Sequence, residues 1–365
     1  MTAMIEPIQE FRIAVIGVID RSNPRLDEFV KGWKRMGAAV KFVRIPAKRR
    51  MAVQLTAAIR GFRQLRWADA IYVAPLNMHY GPVYWLLAKL ARRPLLLDYI
   101  VGLSDWIEDR GTYTFRRKRL ARWIDRFNLM RCDAVTDTGQ HRAQYESLLG
   151  RSFPRLTAVP ISARSGLTVL PPPPDAAPKH VLFVGSFIPF HGIDVIVRAA
   201  HLLRERSDIR FVLIGSGQTY AQSERLAATL DLTHIELRKG YFPFATLRGD
   251  YERASICLGV FGEGEKRNVV VPNKVLDALT LGRPVITASS AAIEAVMTPG
   301  EQLVTVPPGD PRALADAISD LLADPARCRR LVEAGRKWAA AERNPKVIAG
   351  QVLDQLRQMT IRRNP

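Results

Sequence analysis

The sequence predicts an α/β protein built from two parallel-sheet halves, and three observations predict it. Short apolar runs alternate with helix-period segments along the chain, the order of strand and crossover helix. The alternation comes as two series separated by the stiff stretch Leu170-Pro-Pro-Pro-Pro-Asp-Ala-Ala-Pro178. The runs are apolar, as strands covered on both faces are.

The first series starts at Phe11-Arg-Ile-Ala-Val-Ile-Gly17 and continues through Ala39 to Ile45, Ala70 to Ala74, Pro94 to Asp98 and Ala134 to Thr136, finishing near Ala158 to Pro160. The second starts at His180-Val-Leu-Phe-Val-Gly185 and repeats at Arg210 to Gly215, Ile235 to Leu237, Ile256 to Val260 and Pro284 to Thr287. Expected domains are 1–168, a linker 169–179, a second domain 180–343, and a terminal helix 344–365 that crosses back onto the first. Two such sheets joined by a linker make a cleft, and open α/β sheets bind ligands at the carboxyl ends of their strands.

Ala70 to Ala88 lacks Asp, Glu, Lys and Arg, and its length is near that of a membrane span. Pro75, Asn77, His79, Gly81 and Pro82 break it in the middle, so it reads as a strand, a turn and a helix over Val83 to Ala91.

Between two strands of the second series lies Val270-Val-Pro-Asn-Lys-Val-Leu-Asp-Ala-Leu-Thr-Leu-Gly-Arg-Pro-Val-Ile286. Pro272 suits a helix start, Gly282 a helix end, and Pro284 forbids continuation. Lys274 then sits in the first turn, where the helix dipole disfavours a cation unless an anion lies beside it. Asp277 can accept from sugar hydroxyls, or it pairs with Lys274 as a solvated ion pair. Two further loops precede helices: Gly185-Ser-Phe-Ile-Pro-Phe-His-Gly192 and Gly215-Ser-Gly217. Each puts backbone N–H groups at a helix start, where phosphate binds. Neither matches GxGxxG or a P-loop.

The chain carries 54 Lys and Arg against 35 Asp and Glu, net +19, and the excess lies in the first half. Arg116, Arg117, Lys118 and Arg119 open a helical segment bearing Leu120, Trp123, Ile124, Phe127 and Met130 at helical spacing. Either this apolar face packs on the protein's own core, or it joins the arginines in docking on an anionic surface, where each basic residue contributes about 1 kcal/mol. A second basic cluster runs Ala47-Lys-Arg-Arg50, then Arg60, Arg63 and Arg66. No nucleic-acid signature accompanies the charge, so no nucleic-acid partner is expected. Cys132, Cys257 and Cys328 form no disulfide or zinc pattern and fit a reducing compartment. Met1 to Glu10 has no apolar run of the kind a signal peptide needs.

The joint pattern of Val184 to Ile193, Leu213-Ile-Gly-Ser-Gly217, Lys239-Gly-Tyr-Phe-Pro243, Pro272 to Asp277 and Leu281-Gly-Arg-Pro-Val-Ile286 resembles the donor half of GT-B glycosyltransferases of family 4, the group 1 glycosyl transferases. The resemblance covers about 180–340; the first half matches in layout alone. It implies two Rossmann-like domains facing across a cleft, the first for the acceptor and the second for a nucleotide diphosphate sugar.

It also implies donor contacts at Gly185, Ser186, Gly192, Gly215, Ser216, Gly217, Gly262, Glu263, Pro272, Asn273 and Asp277. Catalytic roles would fall to Lys274 and His191, toward a leaving diphosphate, and to His79 and Asp98, toward the sugar or acceptor. His79 and Asp98 also read as structural residues. Trp123 and the basic run Arg116 to Arg119 would meet the acceptor or a membrane.

The chain departs from the family pattern at several places. The first of the family's two acids is Val269 here, with Glu263 or Glu265 as stand-ins, and the usual Arg and Lys of the first donor loop are Ser186 and His191. An Asn-Lys pair before the last acid is similar to a known family variation. No Asp-x-Asp occurs, so no metal or other cofactor is expected.

The implied activity is retaining hexosyl transfer to a lipid-linked or polysaccharide acceptor, at the cytoplasmic side, peripheral to the membrane. A nucleotide-sugar epimerase and a non-catalytic sugar-nucleotide or nucleic-acid binding module are the alternatives.

Overall fold

The computed structural model describes residues 10–20, 23–47, 51–108, 114–175 and 178–363. Three of the four residues of the Ala47–Arg50 cluster, the first nine residues and the last two lie outside that set. The chain forms two compact units, residues 1–162 with 345–365, and residues 163–344.

In unit 1 the strands are β1 Arg12–Gly17, β2 Ala39–Arg44, β3 Ala70–Val73, β4 Leu95–Asp98, β5 Asp133–Thr136 and β6 Leu156–Ala158. They pair in the order β2-β1-β3-β4-β5-β6, all parallel. Unit 2 has β7 Lys179–Val184, β8 Ile209–Gly215, β9 Ile235–Lys239, β10 Ala254–Leu258, β11 Val285–Ala288 and β12 Val304–Val306. Their order is β12-β11-β10-β7-β8-β9, again all parallel. The strand order reverses between β7 and β10, so loops leaving these two strands diverge and open a site at their carboxyl ends. Strand β12 escapes the sequence pattern because three residues, Val304-Thr-Val306, are too few to show a period.

The Ala70 to Ala88 segment divides as expected into β3 and a helix, Gly81–Ala91. No helix among the described residues is long and apolar enough to cross a membrane.

The expected linker is not free. Leu170 N–H donates to Leu281 O at 3.0 Å, and the buried Arg283 guanidinium donates to Pro171 O at 2.6 Å. Ala163 N–H bonds Arg343 O at 2.9 Å. Unit 2 therefore begins at residue 163, six residues before the linker that composition suggested, because Ala163 and the stretch after it are fastened to unit 2 through backbone hydrogen bonds.

The helix Pro345–Arg363 returns to unit 1 and packs on the helix Pro24–Arg35. Ile348, Val352, Leu353 and Leu356 are buried there, and Trp33 Nε1 donates to Ala349 O at 3.0 Å. Gly32 lies so close that a Cβ on it would stand 2.3 Å from the Ala349 Cβ.

The helix Phe115–Arg131 departs from the pattern read in sequence. Its buried residues are Ala121, Asp125, Asn128 and Leu129, whereas Leu120, Trp123 and Met130 are exposed. The buried face is polar because Asp125 accepts from the Leu103 and Ser104 amides at 2.9 and 2.8 Å, capping the helix Leu103–Glu108. The core-packing reading of Trp123 is thereby corrected.

Gly32→Val should therefore cost about 1–3 kcal/mol through overpacking, with partial recovery on adding Ala349→Gly. Thermal unfolding checks it; an unchanged Tm would show that these helices are not clamped at this point.

Candidate functional site

Three loops of unit 2 are laced together at the carboxyl edge of its sheet. Phe187 N–H donates to Ser216 O at 2.9 Å, Thr219 N–H to Phe187 O at 3.0 Å, and Phe261 N–H to His191 O at 3.0 Å. Gly192, at φ 65°, joins the first loop to the helix Ile193–Leu202, and a Cβ there would sit 2.3 Å from the Gly262 amide. Only glycine permits that turn and that approach.

The helix Asn273–Leu281 starts beside these loops. Its N-cap is Pro272, which supplies no side-chain cap, and Gly282 ends it at φ 75°. Lys274 leaves the first turn and lies over Gly185, where a Cβ would be 2.6 Å from its Nζ. The amine stands 3.8 Å from the centroid of the Phe183 ring and 3.3 Å from His191 Nδ1. Among the described residues no carboxylate forms an ion pair with it. Burial therefore holds the Lys274 amine well below its ordinary value.

His191 is buried, and burial, then the nearby Lys274, drive its imidazole well below the usual range. Its Nδ1 faces the Ser186 carbonyl, which can only accept, so Nδ1 carries the hydrogen of a neutral ring. That N–H is already engaged, which revises the expectation of His191 as a donor to phosphate. The ring, packed between Phe183 and Phe190, instead fixes the position of Lys274.

Asp277 is buried and paired with Arg164 at 3.0 Å. Its ion-pair partner is thus Arg164 rather than Lys274. Glu263 and Glu265 are exposed, Glu263 lying over Gly309, and Val269 is buried where the family carries its first acid. Tyr241, missed in the sequence, is 75 % exposed, and its hydroxyl donates to Ser216 O at 2.9 Å. It anchors an aromatic face beside the Gly215–Gly217 loop.

In unit 1, Asp98 is buried; its two oxygens accept from Arg25 Nε, at 3.1 and 2.9 Å, and Tyr72 Oη donates to the same carboxylate. Arg25 also donates to Val159 O at 2.9 Å. Asp98 thus ties β4 to the start of the Pro24–Arg35 helix and is structural, the second of its two sequence readings. His79 is exposed after β3 and packs at a tilt against Tyr80, with centroids 4.1 Å apart. Arg116, Arg117 and Arg119 are exposed and Lys118 is half-buried on the helix that carries Trp123.

A second cluster went unread. His141 is buried with Nδ1 2.7 Å from Asp137 and Nε2 3.1 Å from Asp105. Burial opposes its charge, yet Asp137 and then Asp105 overcome that and push it up to about 9.

The fold and this site define a class: twin parallel α/β units, one with an uncapped helix start, a half-buried lysine and glycine loops suited to a phosphate. The sequence model described as glycosyl transferases group 1 matches residues 178–324. Residues 178–324 belong to the group 1 glycosyl transferases, and the chain has the GT-B fold.

Relatives include the GDP-mannose-dependent alpha-(1-6)-phosphatidylinositol monomannoside mannosyltransferase of Mycolicibacterium smegmatis, 28% identical over 44% of this chain and 42% of that one. A D-inositol 3-phosphate glycosyltransferase of Kineococcus radiotolerans is 31% identical over 53% and 49%. The matched part thus spans under half of each of these relatives. Among solved structures, Anabaena Alr3699/HepE in complex with UDP-glucose superposes with TM-score 0.76 at 12% identity, covering 96% of this chain and 100% of that one. Sucrose-phosphate synthase of Thermosynechococcus elongatus gives 0.74 at 19% identity, over 96% and 99%.

Because His141 titrates higher folded than unfolded, its stabilisation, about 3 kcal/mol, is fully present below pH 6.5 and is lost as pH rises through about 9. Urea unfolding across that window should show the decline, and His141→Asn should flatten it; an unflattened profile would contradict the clamp.

Proposed function

We propose that this protein moves a sugar from a nucleoside diphosphate sugar to a lipid-linked or polysaccharide acceptor, retaining anomeric configuration and using no metal ion. The observation that carries the proposal is Lys274, a half-buried lysine on an uncapped helix start, its amine against an aromatic ring and with no carboxylate paired to it among the described residues. When the sugar–diphosphate bond breaks, negative charge grows on the leaving group, and a preorganised cation with helix N–H groups stabilises it. The incoming phosphate restores the charge on Lys274.

Gly185, Gly192, Gly215, Gly217 and Gly262 let the donor approach the backbone, while Tyr241 offers its face to the nucleobase. Retention follows if the acceptor oxygen attacks from the side the diphosphate leaves: the new C–O bond forms as the sugar–phosphate bond breaks, and the acceptor proton passes to a phosphate oxygen. The names of the mannosyltransferase relative and of the UDP-glucose complex support a nucleotide-sugar donor. His79, exposed at the carboxyl edge of unit 1, is assigned to the acceptor. Trp123 and the arginines around it are assigned to an anionic membrane at the cytoplasmic side, since the ring lies outside the core.

A panel of nucleoside diphosphate sugars, assayed for transfer with and without chelator, identifies the donor. With that donor, Lys274→Ala should lower kcat/KM by about 10²–10³, roughly 3–4 kcal/mol, with the fold intact. Chelator should change nothing. Full activity of Lys274→Ala, or loss of activity to chelator that Mn²⁺ restores, would overturn the proposal.

A further inference from the structure

The starts of β4, β5 and β6 mark the amino edge of the unit 1 sheet, opposite the strand end that carries His79, and a pocket of about 330 Å³ opens there. The helices Gly81–Ala91, Phe115–Arg131 and Pro345–Arg363 end at it. Its apolar lining residues Ala88, Leu95, Cys132 and Met359 are buried. Lys89, Arg93, Arg131, Arg155, Arg362 and Arg363 line it as well, and all six reach solvent, Arg93 half-buried and the others exposed. A molecule entering the pocket therefore meets charge before it meets apolar surface.

Cations gather at helix C-termini without any ligand, and that plain explanation can be weighed by counting charge. Three helix ends supply about −1.5 charges, and Asp133, the one carboxylate in the lining, supplies at most one more. Roughly 3.5 of the six positive charges stay unmatched. Burial pushes the Asp133 carboxyl up, against the pull of Arg155 and Arg362, which weakens it further as a counter-ion. Like charges gathered in one concavity raise each other's energy unless an anion enters.

The contacts that hold these side chains leave their charge in place. Among the described residues none of the six forms an ion pair, with Asp133 or with any other carboxylate. Arg93 donates to Arg66 O at 2.9 Å, and a carbonyl does not neutralise it. Lys89 and Arg131 stand 5.7 and 6.0 Å from the centroid of the Trp85 ring, which also lines the pocket and positions both cations without cancelling them.

We infer that this pocket binds a small soluble anion bearing two phosphate groups. A phosphate monoester carries about 1.5–2 negative charges at neutral pH, so two of them match the excess and one does not. Arginine forks suit phosphate oxygens, and the volume is that of a small-molecule site. The bound anion ties the last turn of the Pro345–Arg363 helix to the starts of β5 and β6, through Arg362 and Arg363 on one side and Arg131 and Arg155 on the other. The inference does not rest on the proposed activity, since its readout requires no turnover.

The test is calorimetric titration of the full chain with fructose 1,6-bisphosphate, alongside its Tm at saturation. Wild type should bind it saturably, with a Tm raised by several degrees, and should bind fructose 6-phosphate at least about tenfold more weakly. Arg362→Gln/Arg363→Gln, at the exposed end of its helix, should weaken the bisphosphate at least about tenfold while leaving the ligand-free Tm unchanged. Arg155→Gln should repeat the loss from a different element. Lys274→Ala and the exposed unit 2 pair Arg329→Gln/Arg330→Gln should bind as wild type does, which separates this pocket from the phosphate site of unit 2 and from charge in general. Equal weakening by both arginine pairs, loss on Lys274→Ala alone, equal affinity for the monophosphate, or no binding of the bisphosphate would each overturn the inference.

Discussion

A lysine amine set between a neutral imidazole and an aromatic face, at the positive end of a helix, is unfavourable as a cation until an anion joins it. The local structure of unit 2 serves that arrangement. Gly185 leaves room for the side chain, and Gly192 turns the chain so that His191 reaches Lys274. The reversal of strand order between β7 and β10 brings the loops together. Removing negative charge from this neighbourhood, with Asp277 drawn to Arg164 and Val269 in place of an acid, sharpens the demand for a phosphate.

Unit 1 supplies an internal comparison. Arg25 is likewise a cation in the first turn of a helix, and burial alone would oppose its charge, but there Asp98 sits against it and the problem is solved inside the fold. The same anomaly thus has two resolutions, a carboxylate of the protein or an anion from outside. Only the second makes a binding site. His141, held between Asp137 and Asp105, is another buried cation with its counter-charges built in.

Most of the fold was legible because parallel strands covered on both faces are written as apolar runs, and helix ends are marked by residues such as Pro272 and Gly282. The terminal helix was legible for the same reason. What depended on pairing across long sequence distances was not. Nothing near Asp277 announces Arg164, and Asp98 looked available until Arg25, 73 positions earlier, was seen upon it. The helix at Phe115–Arg131 misled because Asp125 and Asn128 are buried by capping and hydrogen bonding rather than by hydrophobicity. A cation near a helix start was the available signal, and it was read at Lys274 but not at Arg25.

The account rests on the charge state of Lys274, and the most direct measurement is its titration by the ¹³C shift of Cε, assigned with Lys274→Arg, in the free protein and with pyrophosphate. The account predicts an amine that titrates well below 10.5 when free and rises toward that value when the anion binds. Titration near 10.5 in both states would contradict it.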